Sequence, residues 1–98
     1  MYFFKEIAFL LNLPKNVKEI LPDLLKQREI LSSTGIGNGI AIPHPKIQIG
    51  TEIFQSMVGT FFLETPLEFK ASDGIPVFVV FVIISKNSSN HLKFKLSL

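Results

Sequence analysis

The apolar positions of the chain fall into three patterns, and each predicts an element. Phe4, Ile7, Ala8 and Leu11 recur at three- and four-residue spacing, which predicts a short helix over residues 3–12, ended by Pro14. Val17, Ile20, Leu21, Leu24, Leu25 and Leu31 carry a second stripe of the same period, interrupted by Pro22. Either a separate turn precedes a helix beginning near Pro22, or one helix kinks there. Arg28 falls four residues after Leu24, on or beside the apolar face, an odd place for an unpaired cation. The third pattern is the continuous β-branched and aromatic run from Val77 to Ile84. It is short enough for a strand buried on both faces, central in a sheet covered by helices.

The polar segments punctuate these runs. Ser32-Ser33-Thr34-Gly35 ends the second helix, and glycines 35, 37 and 39 define a loop before a short strand from Gly39 to Ile42. Gln48-Ile49-Gly50, Glu64-Thr65-Pro66 and Ser72-Asp73-Gly74 read as turns, and Ile53 to Leu63 is β-rich with an awkward Gly59. Ser85 to Asn90 is a polar loop, and a helix begins at His91. The order helix, helix, strand, strand, strand, helix implies an α/β fold, a small mixed sheet flanked by helices. No repeat or linker divides the chain, so residues 1–98 form a single domain.

Composition narrows the function. The chain is 47% hydrophobic and ten of its eleven aromatics are Phe, which has no polar tip to satisfy. With a mean hydropathy of +0.38, this implies a tightly filled core, or a piece of something larger that covers it, and leaves room for a homo-oligomer. The net charge of +2 is spread over scattered lysines with no basic stripe, which argues against nucleic acid as a partner. The absence of Cys excludes a disulfide framework and Cys-ligated zinc. The N-terminus has an early acid and no small-residue cleavage site, and the longest apolar run, Ile75 to Ile84, is far below the ~20 residues a membrane helix needs. The cytoplasm is the expected location, without membrane insertion.

The chemistry concentrates in Ser33-Thr34-Gly35-Ile36-Gly37-Asn38-Gly39-Ile40-Ala41-Ile42-Pro43-His44-Pro45. Pro43 and Pro45 fix φ and lack an N–H, so His44 sits on stiff backbone at a strand exit. The loop of Thr34, Gly35, Gly37, Asn38 and Gly39 is neither a P-loop nor a dinucleotide fingerprint, but successive amides of such a turn can form an anion-binding nest. The plainer alternative is that the glycines only make turns, with Asn38-Gly39 as a hairpin turn. Arg28 either forms a structural ion pair with Glu29 or Glu64, or faces a phosphoryl group with its planar fork. His91 is either a helix-start residue or a second imidazole that donates a hydrogen bond to a phosphoryl oxygen.

Arg28-Glu29, the run Ser33 to His44, Asp73-Gly74 with Pro76-Val77, and His91-Leu92 together resemble the EIIA domain of the fructose/mannitol/nitrogen-regulatory class (type 2) of the phosphoenolpyruvate-dependent phosphotransferase system. His44-Pro45-Lys46 looks more like the nitrogen-regulatory branch than the sugar branch. The resemblance implies that His44 is phosphorylated by the phosphohistidine of an HPr-like carrier protein. It then passes the group to an EIIB domain, or signals through its phosphorylation state to a regulatory target protein. Arg28 and His91 match the positions that flank the active histidine. No cofactor and no metal is implied. Against the family the chain is short, with elements missing before Phe3 and after His91, so the domain is expected to be incomplete at both ends.

An imidazole with its ordinary pKa of about 6.5 is largely neutral near pH 7 and can act as the nucleophile. Arg28 and the loop amides would offset charge developing on the phosphoryl oxygens. This requires His44 open to solvent beside the cation and the main-chain donors. Two other readings compete. One is a non-catalytic interaction module in which truncation has abolished transfer. The other is a metal site of His44, His91 and a carboxylate, whose spacing is unlike that of a ligand set.

Overall fold

The computed structural model describes residues 2–45 and 56–85. Helix α1 spans Tyr2–Leu10 and helix α2 spans Lys15–Leu31. Four strands follow: β1 Gly35–Gly37, β2 Ile40–Ala41, β3 Met57–Leu67 and β4 Val77–Ile84. The expected turn at 48–50, the start of the β-rich segment before Ser56, the polar loop after Ser85 and the final helix from His91 lie outside the described residues.

Pro14 separates the helices. Its extended backbone (φ −56°, ψ 150°) stands just ahead of α2, and its carbonyl accepts Val17 N–H and Lys18 N–H, both at 3.0 Å. Of the two alternatives at Pro22, a single helix is realised, with Pro22 inside α2. The buried line of α2 is Val17, Leu21 and Leu25, one residue every four. Ile20 and Leu31, expected in the stripe, are exposed at 47% and 61%. The reason is angular: at 100° per residue Leu31 is turned about 120° away from Leu25, and Ile20 falls to the flank. Arg28, three residues past Leu25, also lies on the flank and is half-buried.

The sheet order is β1-β2-β4-β3, with β2 parallel to β4 and both outer pairs antiparallel. β4 is central, as its unbroken β-branched run predicts. Val80, Val82 and Ile84 alternate into a core built with Phe4, Ile7, Ala8, Val17, Leu21 and Leu25, while Ile83 between them is buried as well. Phe69, from the β3–β4 connection, meets Phe3 and Phe4 edge-on, with ring centroids 6.3 and 6.4 Å apart.

Two expectations are corrected. Glu64-Thr65-Pro66 does not turn the chain: β3 continues to Leu67 and takes up the extra residues as a register shift between Phe62 and Leu67. Pro66 is tolerated because β3 stands at the end of the strand order, where a missing N–H need not break a ladder. Gly35 to Gly39 is not a plain loop but strand β1 plus a turn, described below. The mixed sheet carrying helices agrees with the expected fold class.

Candidate functional site

The glycine-rich segment folds as a hairpin. β1 and β2 pair antiparallel around Asn38-Gly39, whose φ values of +57° and +78° are those of a tight two-residue hairpin turn. The hairpin reading of Asn38-Gly39 is therefore the one realised. Glycine is required at 39 twice over: φ is left-handed, and a Cβ there would fall inside the Phe78 ring. The Gly39 carbonyl in turn accepts Phe78 N–H at 2.9 Å and Val79 N–H at 3.1 Å, which ties the turn to the start of β4.

His44 leaves this hairpin along β4. Ile83 N–H donates to the Pro43 carbonyl at 3.0 Å, and Ile42 N–H donates to the Thr34 carbonyl at 2.9 Å, so the segment before the histidine is held on both sides. The ring itself is held by Nδ1, which lies 2.9 Å from the Ile42 carbonyl oxygen. A carbonyl only accepts, so Nδ1 carries the proton. In the neutral ring the lone pair is then on Nε2. The stiff mount expected from the two prolines is present. The expected openness is not: His44 is only 7% exposed. Its approach along the buried strand β4, with Pro43 fully buried beside it, draws the residue inward.

Arg28 stands in the last turn of α2. Its Nη1 donates to the Ser32 carbonyl at 2.8 Å and lies 3.4 Å from Ser32 Oγ. Among the described residues it makes no ion pair with Glu29 or Glu64, so the structural ion-pair reading is not realised. A cation capping free carbonyls at a helix C-terminus is a sound electrostatic arrangement without a carboxylate. Glu29 has another task. Its Oε2 accepts Thr34 N–H at 2.9 Å and its Oε1 accepts Thr34 Oγ1–H at 2.7 Å.

The amides of the hairpin have protein acceptors in several places. Thr34 N–H goes to Glu29, Gly35 N–H goes to Ser33 Oγ at 2.9 Å, and Asn38 N–H goes to Asp73 Oδ2 at 2.7 Å. Ser33 Oγ–H donates in turn to the Phe69 carbonyl. The Asn38 N–H, and secondarily the Ile75 N–H, hold the Asp73 carboxyl below its ordinary pKa. A cleft of about 540 Å³ is lined by two of these anchors, Glu29 and Ser33, together with Lys26, Phe69 and Lys70.

The structure thus places Thr34 against Ile42, two residues before His44, with Arg28 fastened to Ser32 just ahead of Thr34. The Asn38-Gly39 turn meets β4 at Phe78 and Pro43 meets it at Ile83, so Gly37, Asn38 and Gly39 stand toward the opposite end of β4 from His44. His91 lies outside the described residues. Sequence reasoning passed over Glu29 as a backbone anchor, and read Asp73 as part of a turn and of the family resemblance but not as a carboxylate that holds the hairpin. The signals available were a carboxylate in the last turn of a helix, where its charge is unfavourable, and an Asp opening an Asp-Gly turn. Ser85, just past β4, also buries a hydroxyl oxygen with no hydrogen-bond partner among the described residues.

Comparison with known proteins places this geometry. Nitrogen regulatory protein of Klebsiella oxytoca is 45% identical over 67 residues, 67% of this chain and 40% of the relative. That of Pseudomonas aeruginosa is 42% identical over 72 residues, 74% of this chain and 45% of the relative. The fructose-specific EIIABC component of Bacillus subtilis is 30% identical over 76 residues, 78% of this chain and 12% of that protein. Less than half the length of these curated relatives is matched. The crystal structure of nitrogen regulatory protein IIA-Ntr from Neisseria meningitidis superposes with a TM-score of 0.75 at 29% identity, covering 97% of this chain and 64% of that one. The family model for the phosphoenolpyruvate-dependent sugar phosphotransferase system, EIIA 2, matches residues 3–98, and the chain belongs to that family.

Proposed function

We propose that the chain is a phosphocarrier domain that accepts a phosphoryl group on His44 from the phosphohistidine of an HPr-like carrier protein. The observation that carries this reading is the Nδ1–H bond to the Ile42 carbonyl at 2.9 Å, which assigns the nucleophilic lone pair of the neutral ring to Nε2. In the step itself Nε2 forms a bond to phosphorus as the donor's P–N bond breaks. The bonding pair of that P–N bond returns to the donor imidazole, and no net proton is taken up. Arg28 offsets charge on the phosphoryl oxygens and His91 donates a hydrogen bond to them.

The nitrogen-regulatory branch is the better supported destination, because the relatives at 39–45% identity carry that name and the sugar component stands at 30%. There the phosphorylation state of His44 controls binding to a regulatory target protein; in the sugar branch an EIIB domain receives the group. Both settings are cytoplasmic. No helix among the described residues is long and apolar enough to cross a membrane.

Incubation with phosphorylated carrier protein tests the reading. One phosphoryl group should be incorporated, labile in acid and stable in base, and His44→Ala should abolish it. Undiminished incorporation in His44→Ala removes the site.

The 7% exposure of His44 falls short of the openness that transfer requires, so the carrier must reach the ring by displacing what covers it, and this favours a second reading, a non-catalytic interaction module on the same fold. A folded sample that binds a regulatory partner but never takes label would support it, and efficient labelling excludes it.

A further inference from the structure

We propose that Glu29 is a positioning residue for His44, acting through Thr34 and Ile42 to fix the tautomer of the imidazole. The inference rests on the reading of His44 as phosphoryl acceptor. A continuous set of hydrogen bonds links the two residues. Both carboxylate oxygens of Glu29 hold Thr34, one through its N–H at 2.9 Å and one through its hydroxyl at 2.7 Å. Thr34 is 3% exposed, so neither donor has water as a ready substitute. The Thr34 carbonyl accepts Ile42 N–H at 2.9 Å, and the Ile42 carbonyl accepts His44 Nδ1–H at 2.9 Å.

The placement of Glu29 sharpens the case. It lies in the last turn of α2, the negative end of the helix, where a carboxylate is electrostatically disfavoured. Two donors from one buried residue compensate for that position. The two-point hold also fixes the rotation of Thr34, which a single bond would not. With Glu29 removed, Thr34, the residue just before β1, loses its anchor to α2, and its carbonyl is free to leave Ile42 N–H. The Ile42 carbonyl then loses its fixed direction, and Nδ1–H loses its acceptor. A neutral histidine released in this way shifts toward the tautomer with the proton on Nε2, which has no lone pair there with which to attack phosphorus.

The experiment reads the tautomer and the transfer separately, on the full chain. Two-dimensional ¹H–¹⁵N spectra of the imidazoles, taken at alkaline pH with the ring neutral, report which ring nitrogen is protonated. Labelling by phosphorylated carrier protein reports the rate. Wild type should show Nδ1–H alone. Glu29→Ala should show a mixture of tautomers and label roughly tenfold more slowly or worse. Glu29→Gln should recover most of both, because its carbonyl can accept Thr34 N–H while its NH₂ donates to Thr34 Oγ1. Thr34→Val removes only the hydroxyl arm, so it serves if Glu29→Ala does not fold, and a partial shift of tautomer is expected. A folded Glu29→Ala, or a folded Thr34→Val, with pure Nδ1–H and the wild-type rate overturns the proposal. If wild type takes no label at all, the acceptor reading falls, and the tautomer spectra still decide whether Glu29 positions the ring.

Discussion

Asp73 and Asn38, thirty-five residues apart, are joined by a carboxylate–amide hydrogen bond of 2.7 Å that fastens the tip of the hairpin to the turn before β4. The other carboxylate oxygen accepts Ile75 N–H at 3.0 Å, so one side chain bridges two backbone segments. Gly37 fits closely beside it: an added Cβ would lie 3.1 Å from Asp73 Oδ2. The contact has a pH signature. Both bonds favour the ionised carboxyl, so its pKa in the folded chain is below the ordinary 3.8. The contribution is complete above that value and is lost as pH falls through the lower folded pKa. Hydrogen exchange at the Asn38 amide should therefore be slow at pH 5 and accelerate in acid below pH ~4, relative to the intrinsic rate. Asp73→Ala should exchange fast at both. Equal protection of Asn38 in wild type and Asp73→Ala would show that the bond does not hold the turn.

Gly39→Ala tests the turn from inside. The left-handed φ of +78° costs a non-glycine residue about 1–2 kcal/mol. The new methyl must also displace the Phe78 ring. Phe78 is 46% exposed, so truncating it costs little in itself. The double variant Gly39→Ala/Phe78→Ala should regain the steric part of the loss and keep the backbone part. Urea unfolding of the four proteins measures both terms, and strict additivity would mean that the ring is not what the methyl meets.

The parts of this fold that were legible in the chain are those where side chains set the structure. The period of Phe4, Ile7 and Ala8 and of Val17, Leu21 and Leu25 gives the helices, and the β-branched run from Val77 gives the central strand. β1 was read as loop because Gly35-Ile36-Gly37 has no strand preference; it is held by backbone pairing with β2 and by its close fit to the β3–β4 connection, where a Cβ on Gly35 would lie 2.9 Å from Ala71 Cβ. Glu64-Thr65-Pro66 has the composition of a turn, and only the partner strand decides that it becomes a bulge. At the site, the two prolines announced a rigid histidine, yet nothing local announced its burial. That depends on the parallel pairing of β2 with β4, which is formed between residues far apart in the chain.

Ser33 joins the same surfaces from the other side. Its hydroxyl donates to the Phe69 carbonyl and accepts Gly35 N–H at 2.9 Å. Ser33→Ala removes both and leaves a part-buried carbonyl and amide to find other partners, a loss of about 1–3 kcal/mol by urea unfolding. Exchange at the Gly35 amide should rise with it. A variant as stable as wild type, with Gly35 equally protected, would mean that backbone pairing alone holds β1 in place.

Arg28 separates stability from transfer. Its Nη1 bond to the Ser32 carbonyl is a helix C-terminal contact worth about 0.3–1 kcal/mol, so Arg28→Ala should remain well folded. A guanidinium has five N–H donors, and fastening Nη1 to Ser32 leaves others able to meet a phosphoryl oxygen. On the proposed mechanism, Arg28→Ala should then slow labelling of His44 by roughly 10²-fold, the scale of losing one donor to a developing oxyanion. Arg28→Lys keeps a cation at the helix end but not the fork, so it should match wild type in unfolding while still transferring slowly. Should Arg28→Ala fold normally and take label at the wild-type rate, the guanidinium serves the helix end alone, and the charge on the phosphoryl group must be met by other donors.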